Sequence, residues 1–136
     1  MATLERVRFN QTGSPTEDQS IPAGTAFQLS LDGESSLAER AAGTAFAVIV
    51  GVKNVTQNTY LTPAPVPPAP ASGVIANMAT AAWPLANPAQ SFSYTVPAAF
   101  AASGDFLEGF GALVVGAAGT ERETGIGNAL AVIEFP

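Results

Sequence analysis

The side chains that do chemistry near neutral pH are sparse in this sequence. Among its 136 residues there is no histidine and no cysteine. That removes the commonest general base, thiolate nucleophiles, disulfides and the usual transition-metal ligands. What remains is carboxylate chemistry. The closest pairs are Glu17 with Asp18, Asp32 with Glu34 across Gly33, Asp105 with Glu108, and Glu121 with Glu123. Glycoside hydrolysis by two carboxylates needs them to converge in a cleft with one pKa raised. All these pairs fall at predicted turns or strand ends, where solvated acids are ordinary, and no nucleophile–base set accompanies them. An Asp-Thr/Ser-Gly signature does not occur. Asp32 and Glu34 could offer oxygen ligands to calcium, but their spacing lacks the EF-hand pattern. The sequence therefore predicts no catalytic residue, no metal ligand and no cofactor.

The other motifs are weaker still. Gly125-Ile126-Gly127 begins like a dinucleotide fingerprint but lacks the third glycine and precedes a predicted strand. The stretch GTERETGIGN (119–128) reads as an exposed hairpin loop, with Arg122 between Glu121 and Glu123 as a contact tip. Asn10-Gln11-Thr12 and Asn54-Val55-Thr56 match the glycosylation sequon, accidentally if the chain is never secreted.

TPAPVPPAPASG (62–73) packs Pro63, Pro65, Pro67, Pro68 and Pro70 into eight positions. Polyproline II segments dock in aromatic grooves, and Pro65 and Pro68 make one PxxP. No basic residue lies near enough for an SH3 ligand, and Pro-Pro-x-Tyr is absent, so a stiff connector held by packing is the simpler expectation. Residues 54–104 carry no Asp, Glu, Lys or Arg, yet hold eight of the eleven prolines and the single tryptophan, Trp83. An uncharged run of that length is hard to keep soluble in water. It predicts an extended arm, unpatterned from Val55 to Ala89, that buries itself on its own domain or on a neighbour.

These residues need elements to position them, and the dominant period is two. Val7 and Phe9 alternate with Arg6, Arg8 and Asn10. Phe27, Leu29 and Leu31 alternate with Gln28, Ser30 and Asp32, and Phe92, Tyr94 and Val96 with Ser91, Ser93 and Thr95. These are half-buried strands with one wet face. Residues 45–53 and 109–118 are apolar on both faces and read as central strands, and 129–135 makes a last one. Turns are predicted at Asp32-Gly33, Ser103-Gly104-Asp105, Ala118-Gly119 and Gly125–Asn128. Only SSLAERAA (35–42) is helical, with Ser36 and Glu39 spaced for a capping box.

Composition narrows the partners. The net charge is −6, and Arg6, Arg8, Arg40, Lys53 and Arg122 are scattered. Phosphate neutralisation and a polybasic membrane site are both unsupported. No apolar run reaches the length of a bilayer span, and MATLERVRFN lacks the apolar core of a signal peptide. The expectation is a soluble chain made in the cytoplasm. At 47% apolar residues it has enough material for one domain, and a chain of this length buries roughly two-thirds of its unfolded surface.

ERVRF, AFQLSL, AFAVIVGVKN, SFSYTVP, GDFLEGFGALVVGA and NALAVIEF, in that order, resemble the strands of an immunoglobulin-like antiparallel β-sandwich. The Ser103-Gly104-Asp105-Phe106 turn is similar to the corner before the penultimate strand, with Phe106 where such folds often carry Tyr. The Cys…Trp…Cys pattern is absent. The resemblance implies a single domain over 1–136, with 54–89 as a long Pro/Ala-rich insertion. A small, acidic, cysteine-free, Ala/Gly/Pro-rich sandwich also resembles accessory or decoration proteins of tailed-phage virions. That implies a non-enzymatic structural protein, homo-oligomeric or bound to capsid or tail subunits, located on a virion. Its expected partner-binding residues are Tyr60, Pro63, Pro65, Val66, Pro67, Pro68, Pro70, Trp83 and Arg122. The alternative is a glycan- or cell-surface-binding module in which Trp83, Tyr60 and Tyr94 supply stacking faces.

Overall fold

A computed structural model describes residues 3–61, 70–72, 77–82, 89–115 and 122–134. In chain order the strands are β1 (Thr3–Gln11), β2 (Ser20–Ile21), β3 (Phe27–Glu34), β4 (Ala45–Asn54), β5 (Thr59–Leu61), β6 (Pro70–Ser72), β7 (Asn77–Ala82), β8 (Ala89–Val96), β9 (Phe106–Val115) and β10 (Arg122–Ile133). One helix, α1 (Leu37–Ala42), lies between β3 and β4, and a 3₁₀ turn (Ala98–Phe100) precedes β9. The first sheet has the order β1-β3-β8. The second runs β2-β10-β9-β4-β7-β6, with β5 also paired to β4. All pairings are antiparallel except the short β2–β10 contact, which is parallel.

The alternation of side chains decides what each sheet buries. In the first sheet Val7, Phe9, Phe27, Leu29, Leu31, Phe92, Tyr94 and Val96 all point inward and are buried. Facing them are Phe46, Val48, Val50 and Val52 of β4, Leu107, Leu113 and Val115 of β9, and Ala129, Ala131 and Ile133 of β10. Tilted ring contacts link Phe9 to Phe27 at 5.9 Å and Phe46 to Phe92 at 5.5 Å. Each large apolar side chain taken fully out of water contributes about 1.5–3 kcal/mol, so this layer dominates the stability of the domain.

The two sheets approach closely where β9 and β10 carry glycine on their inner face. A Cβ at Gly111 would stand 2.5 Å from Leu31 Cδ2, and one at Gly127 2.9 Å from Val7 Cγ2. At Gly125 it would meet Leu4 at 2.6 Å. The Gly125-Ile126-Gly127 motif is thus a packing device inside β10. It is not the turn expected from its glycines, because the ladder to β9 runs through it.

Residues 122–128 form the first half of β10, so the predicted loop at 119–128 does not extend over them. Asp32 and Gly33 lie within β3, paired to Arg6 and Gln90 across the ladders, where no turn is made. The stretch from Val55 to Ala89 is not unpatterned, since β5, β6 and β7 lie in it. Strand β2 was not anticipated, and two residues offer no period to detect. Phe106 opens β9 facing outward at 45% exposure, so it does not plug a corner as Tyr would. The helix forms as expected. Ser36 accepts from the Glu39 amide, the Glu39 carboxylate returns to the Ser36 amide, and Gly43 ends the helix in the left-handed region at φ 61°.

Candidate functional site

Among the described residues, three clusters carry the polar and exposed chemistry. The first covers the outer face of the first sheet. Asp32 Oδ2 accepts from Arg6 Nε at 2.6 Å and Arg8 Nε at 2.9 Å, and Asp32 Oδ1 accepts from the Ser91 hydroxyl. Arg8 and Arg6 also donate to the Ser14 and Pro15 carbonyls of the loop that lies over this face. Arg8 is buried as a result. Burial pushes the Asp32 carboxyl up, but the hydrogen bonds from Arg8, Ser91 and Arg6 outweigh it and hold the pKa below the ordinary carboxylate value. This carboxylate is a fastener for the loop. It is not the solvated turn acid that its sequence position suggested. Among the described residues no group of three or more acids stands together to hold a metal.

The second cluster closes one end of the sandwich. Asp105 Oδ2 accepts from Asn54 Nδ2 at 2.9 Å, from Gln57 Nε2 at 2.6 Å and from the Ala102 amide at 2.9 Å. Asn54 is fully buried and also donates to the Phe100 carbonyl. The Asn54 and Ala102 hydrogen bonds hold the Asp105 pKa below the ordinary value against a smaller desolvation cost. Asp105 is therefore a buried structural acceptor. The sequence had placed it among solvated acids, because a turn was visible and its two amide partners, about fifty residues away, were not. The same network buries Asn54, and hydrogen bonds from Asn10 to Gln28 and the Gln11 carbonyl bury Asn10. Both sequon asparagines are thus inside the fold.

The expected partner residues are dispersed. Tyr60 is 46% exposed on β5, with Lys53 Nζ 5.3 Å from its ring centroid. Arg122 pairs with Val115 at the other end of the sheet, where Val115 in turn meets Phe46. Since Tyr60 pairs with Lys53, seven residues further along β4, the two sites are offset by roughly 23 Å along the strand direction alone. Pro70 opens β6, the edge strand, where a missing N–H costs least. Pro63, Pro65, Val66, Pro67, Pro68 and Trp83 lie outside the described residues. Of the three proposed stacking rings, Tyr94 is buried at 2% exposure and offers no face to a glycan.

The Tyr94 hydroxyl has no hydrogen-bond partner among the described residues, and burial pushes its pKa well above the ordinary phenol value. Leaving a buried donor unmade costs about 1–3 kcal/mol. Tyr94→Phe is expected to melt at the same temperature as the parent or higher, measured by thermal unfolding. A clear loss of stability would reveal a partner for that hydroxyl.

The third cluster was missed by sequence reasoning. On the outer face of the second sheet Ile126 is 72% exposed, and Leu130 and Phe106 are each 45% exposed. Leu130 and Phe106 line a shallow pocket of about 280 Å³ with Gln19, Ala131 and Val132. The signal was present as an inverted alternation. Gly125, Gly127, Ala129 and Ala131 point inward, while Ile126, Leu130 and Val132 point outward. Small residues go inside because the first sheet presses close, and the large ones are left in water.

Two face-packed, almost wholly antiparallel sheets in this strand order define an immunoglobulin-like β-sandwich. No protein-family profile matches the chain, and no curated protein sequence matches it. Solved structures do. AggA, the major subunit of aggregative adherence fimbriae type I from Escherichia coli, aligns with TM-score 0.57 and 10% identity over 98% of this chain and 95% of its own. A cohesin module from a Clostridium perfringens family 33 glycoside hydrolase aligns with TM-score 0.53 and 11% identity over 97% and 98%. BcpA, the major pilin subunit of Bacillus cereus, aligns with TM-score 0.50 and 11% identity over 98% of this chain, which spans 40% of BcpA. At such identities the likeness is one of fold.

Proposed function

We propose that this chain is a non-enzymatic structural module that works by assembling with protein, either further copies of itself or a larger lattice. The observation that carries this reading is the uncharged stretch 54–104 in a chain of net charge −6. Part of it forms β6, the edge of the larger sheet, and so sits where another molecule can reach. Self-repulsion opposes contact between copies of an acidic protein except through surfaces free of charge. Proline has already given up conformational freedom, so an arm containing Pro63, Pro65, Pro67, Pro68 and Pro70 loses little on docking. Val66, Trp83 and Tyr60 supply apolar and aromatic contact area on the same stretch, and Arg122 a cationic one beyond it. Two of the similar structures are the major subunit of a fimbria and a major pilin subunit, which supports a sandwich that assembles with protein. The finer reading, a capsid-decoration or tail module on a virion, rests on the compositional resemblance.

Deletion of residues 62–72 is expected to abolish assembly, read as mass in solution, while circular dichroism and melting show an intact sandwich. A folded deletion variant that assembles as the parent does would reject the arm. A parent chain that stays monomeric and binds no particle would reject the reading as a whole.

A further inference from the structure

The open edge of β10 is self-complementary, and we propose that it pairs antiparallel with β10 of a second copy to make one continuous sheet across a two-fold axis. This deepens the assembly reading and rests on it, but it uses the edge opposite to β6. Strand β10 is bonded to β9 along its whole length. On its other side, among the described residues, its one ladder partner is β2, at Val132 and Ile133, while β1 packs over its inner face at Gly125 and Gly127. The Val132 amide donates to the Gln19 carbonyl on that side, whereas the Ile133 amide turns inward to the Asp105 carbonyl. Strand alternation then directs the amides and carbonyls of Leu130, Asn128 and Ile126 toward the open side.

Among the described residues the usual protections of an edge are missing along 125–131. Natural edges carry charges, prolines, bulges or a covering segment. Residues 124–131 read TGIGNALA, with neither charge nor proline. The one bulge, between Glu123 and Gly125, lies at the end of the stretch. That bulge and β2 together fix the register. They bound a free edge at 125–131, whose midpoint is Asn128. An axis through Asn128 sets Asn128 against itself and each Ile126 against Leu130 of the other copy. These are the exposed apolar residues of this strand, now side by side on one face. The partner's Ile126 then stands beside the pocket lined by Phe106, Leu130 and Val132. No charge of one β10 opposes a like charge of the other within 125–131, so a second copy fits this edge despite the acidic net charge.

The chain has no cysteine, which permits a clean test. Directly opposed residues of an antiparallel pair lie about 4.5–5.5 Å apart at Cα, and disulfides span about 4.4–6.8 Å. Asn128→Cys is expected to give a disulfide-linked dimer on mild oxidation, under conditions where Thr16→Cys, on the loop over the other sheet, does not. Ile126→Lys, at a position 72% exposed, should convert the parent's dimer to a monomer with an unchanged circular dichroism spectrum. A dimeric Ile126→Lys, or Asn128→Cys that links no faster than Thr16→Cys, would overturn the β10 pairing. If assembly nevertheless persists and is lost on deleting 62–72, the broader reading survives without it. A monomeric parent overturns both.

Discussion

Gly111→Val will remove about 3 kcal/mol from the stability of the domain. The added Cβ would lie 2.5 Å from Leu31 Cδ2 and 2.9 Å from Leu31 Cγ, too close for any real contact. Leu31 has nowhere to go. It is fully buried on the middle strand of the first sheet, between Val7 of β1 and Phe92 of β8. Relief requires the sheets to part, and that opens the layer around Phe46, Val50 and Phe92. Overpacking of a close-packed core costs about 1–3 kcal/mol for an added methylene or two, and occasionally more. Here the whole side chain arrives against a side chain that cannot move, so the upper end applies. Since total stability of a domain is about 5–15 kcal/mol, this is a large share. Gly109→Val should behave alike, against Leu29 and Phe9. Chemical denaturation against the parent measures the effect. A loss below 1 kcal/mol would show that the sheets can separate without penalty.

Asp105→Ala is the second large effect. The carboxylate ties the Ala102 turn to the end of β4 through Asn54 and to the following turn through Gln57. Hydrogen bonds to a charged acceptor contribute about 1.5–3 kcal/mol, and removal leaves the buried Asn54 Nδ2 to donate to the Phe100 carbonyl alone among the described residues. A destabilisation of about 3 kcal/mol is expected by denaturant titration. The same group sets the acid limit of the fold. Its folded pKa lies below the unfolded value near 3.8, so it contributes stability above that value and loses it as pH falls through the folded pKa. Asp32 is depressed in the same direction and adds to the effect. Unfolding should therefore set in below about pH 4, and Asp105→Ala should show the shallower loss as pH falls. A pH profile parallel to the parent's would sink the assignment.

The two effects come from different levels of information. Strands β1, β3 and β8 were legible because their apolar residues alternate strictly, and alternation is a local property of chain geometry. Helix α1 was legible for the same reason, since a capping box spans only three residues. The glycines of β9 and β10 were visible but misread. Gly125 and Gly127 look like a turn until Leu4 and Val7, more than 110 residues away, are seen to press against them.

The sequence by itself determined the fold class, the absence of thiol and imidazole chemistry, the acidic charge and the uncharged span 54–104. All of these follow from residue types and short periods. Only the tertiary structure decided that Asp32 and Asp105 are fasteners, the first half-buried and the second buried, that Tyr94 is core, and that the exposed apolar face belongs to Phe106, Ile126 and Leu130. Burial depends on which strands become neighbours, and pairings such as Phe46 with Val115 join residues with no local relation. Chain alternation chooses two faces for each strand. The close approach of the opposite sheet decides which of the two faces meets water.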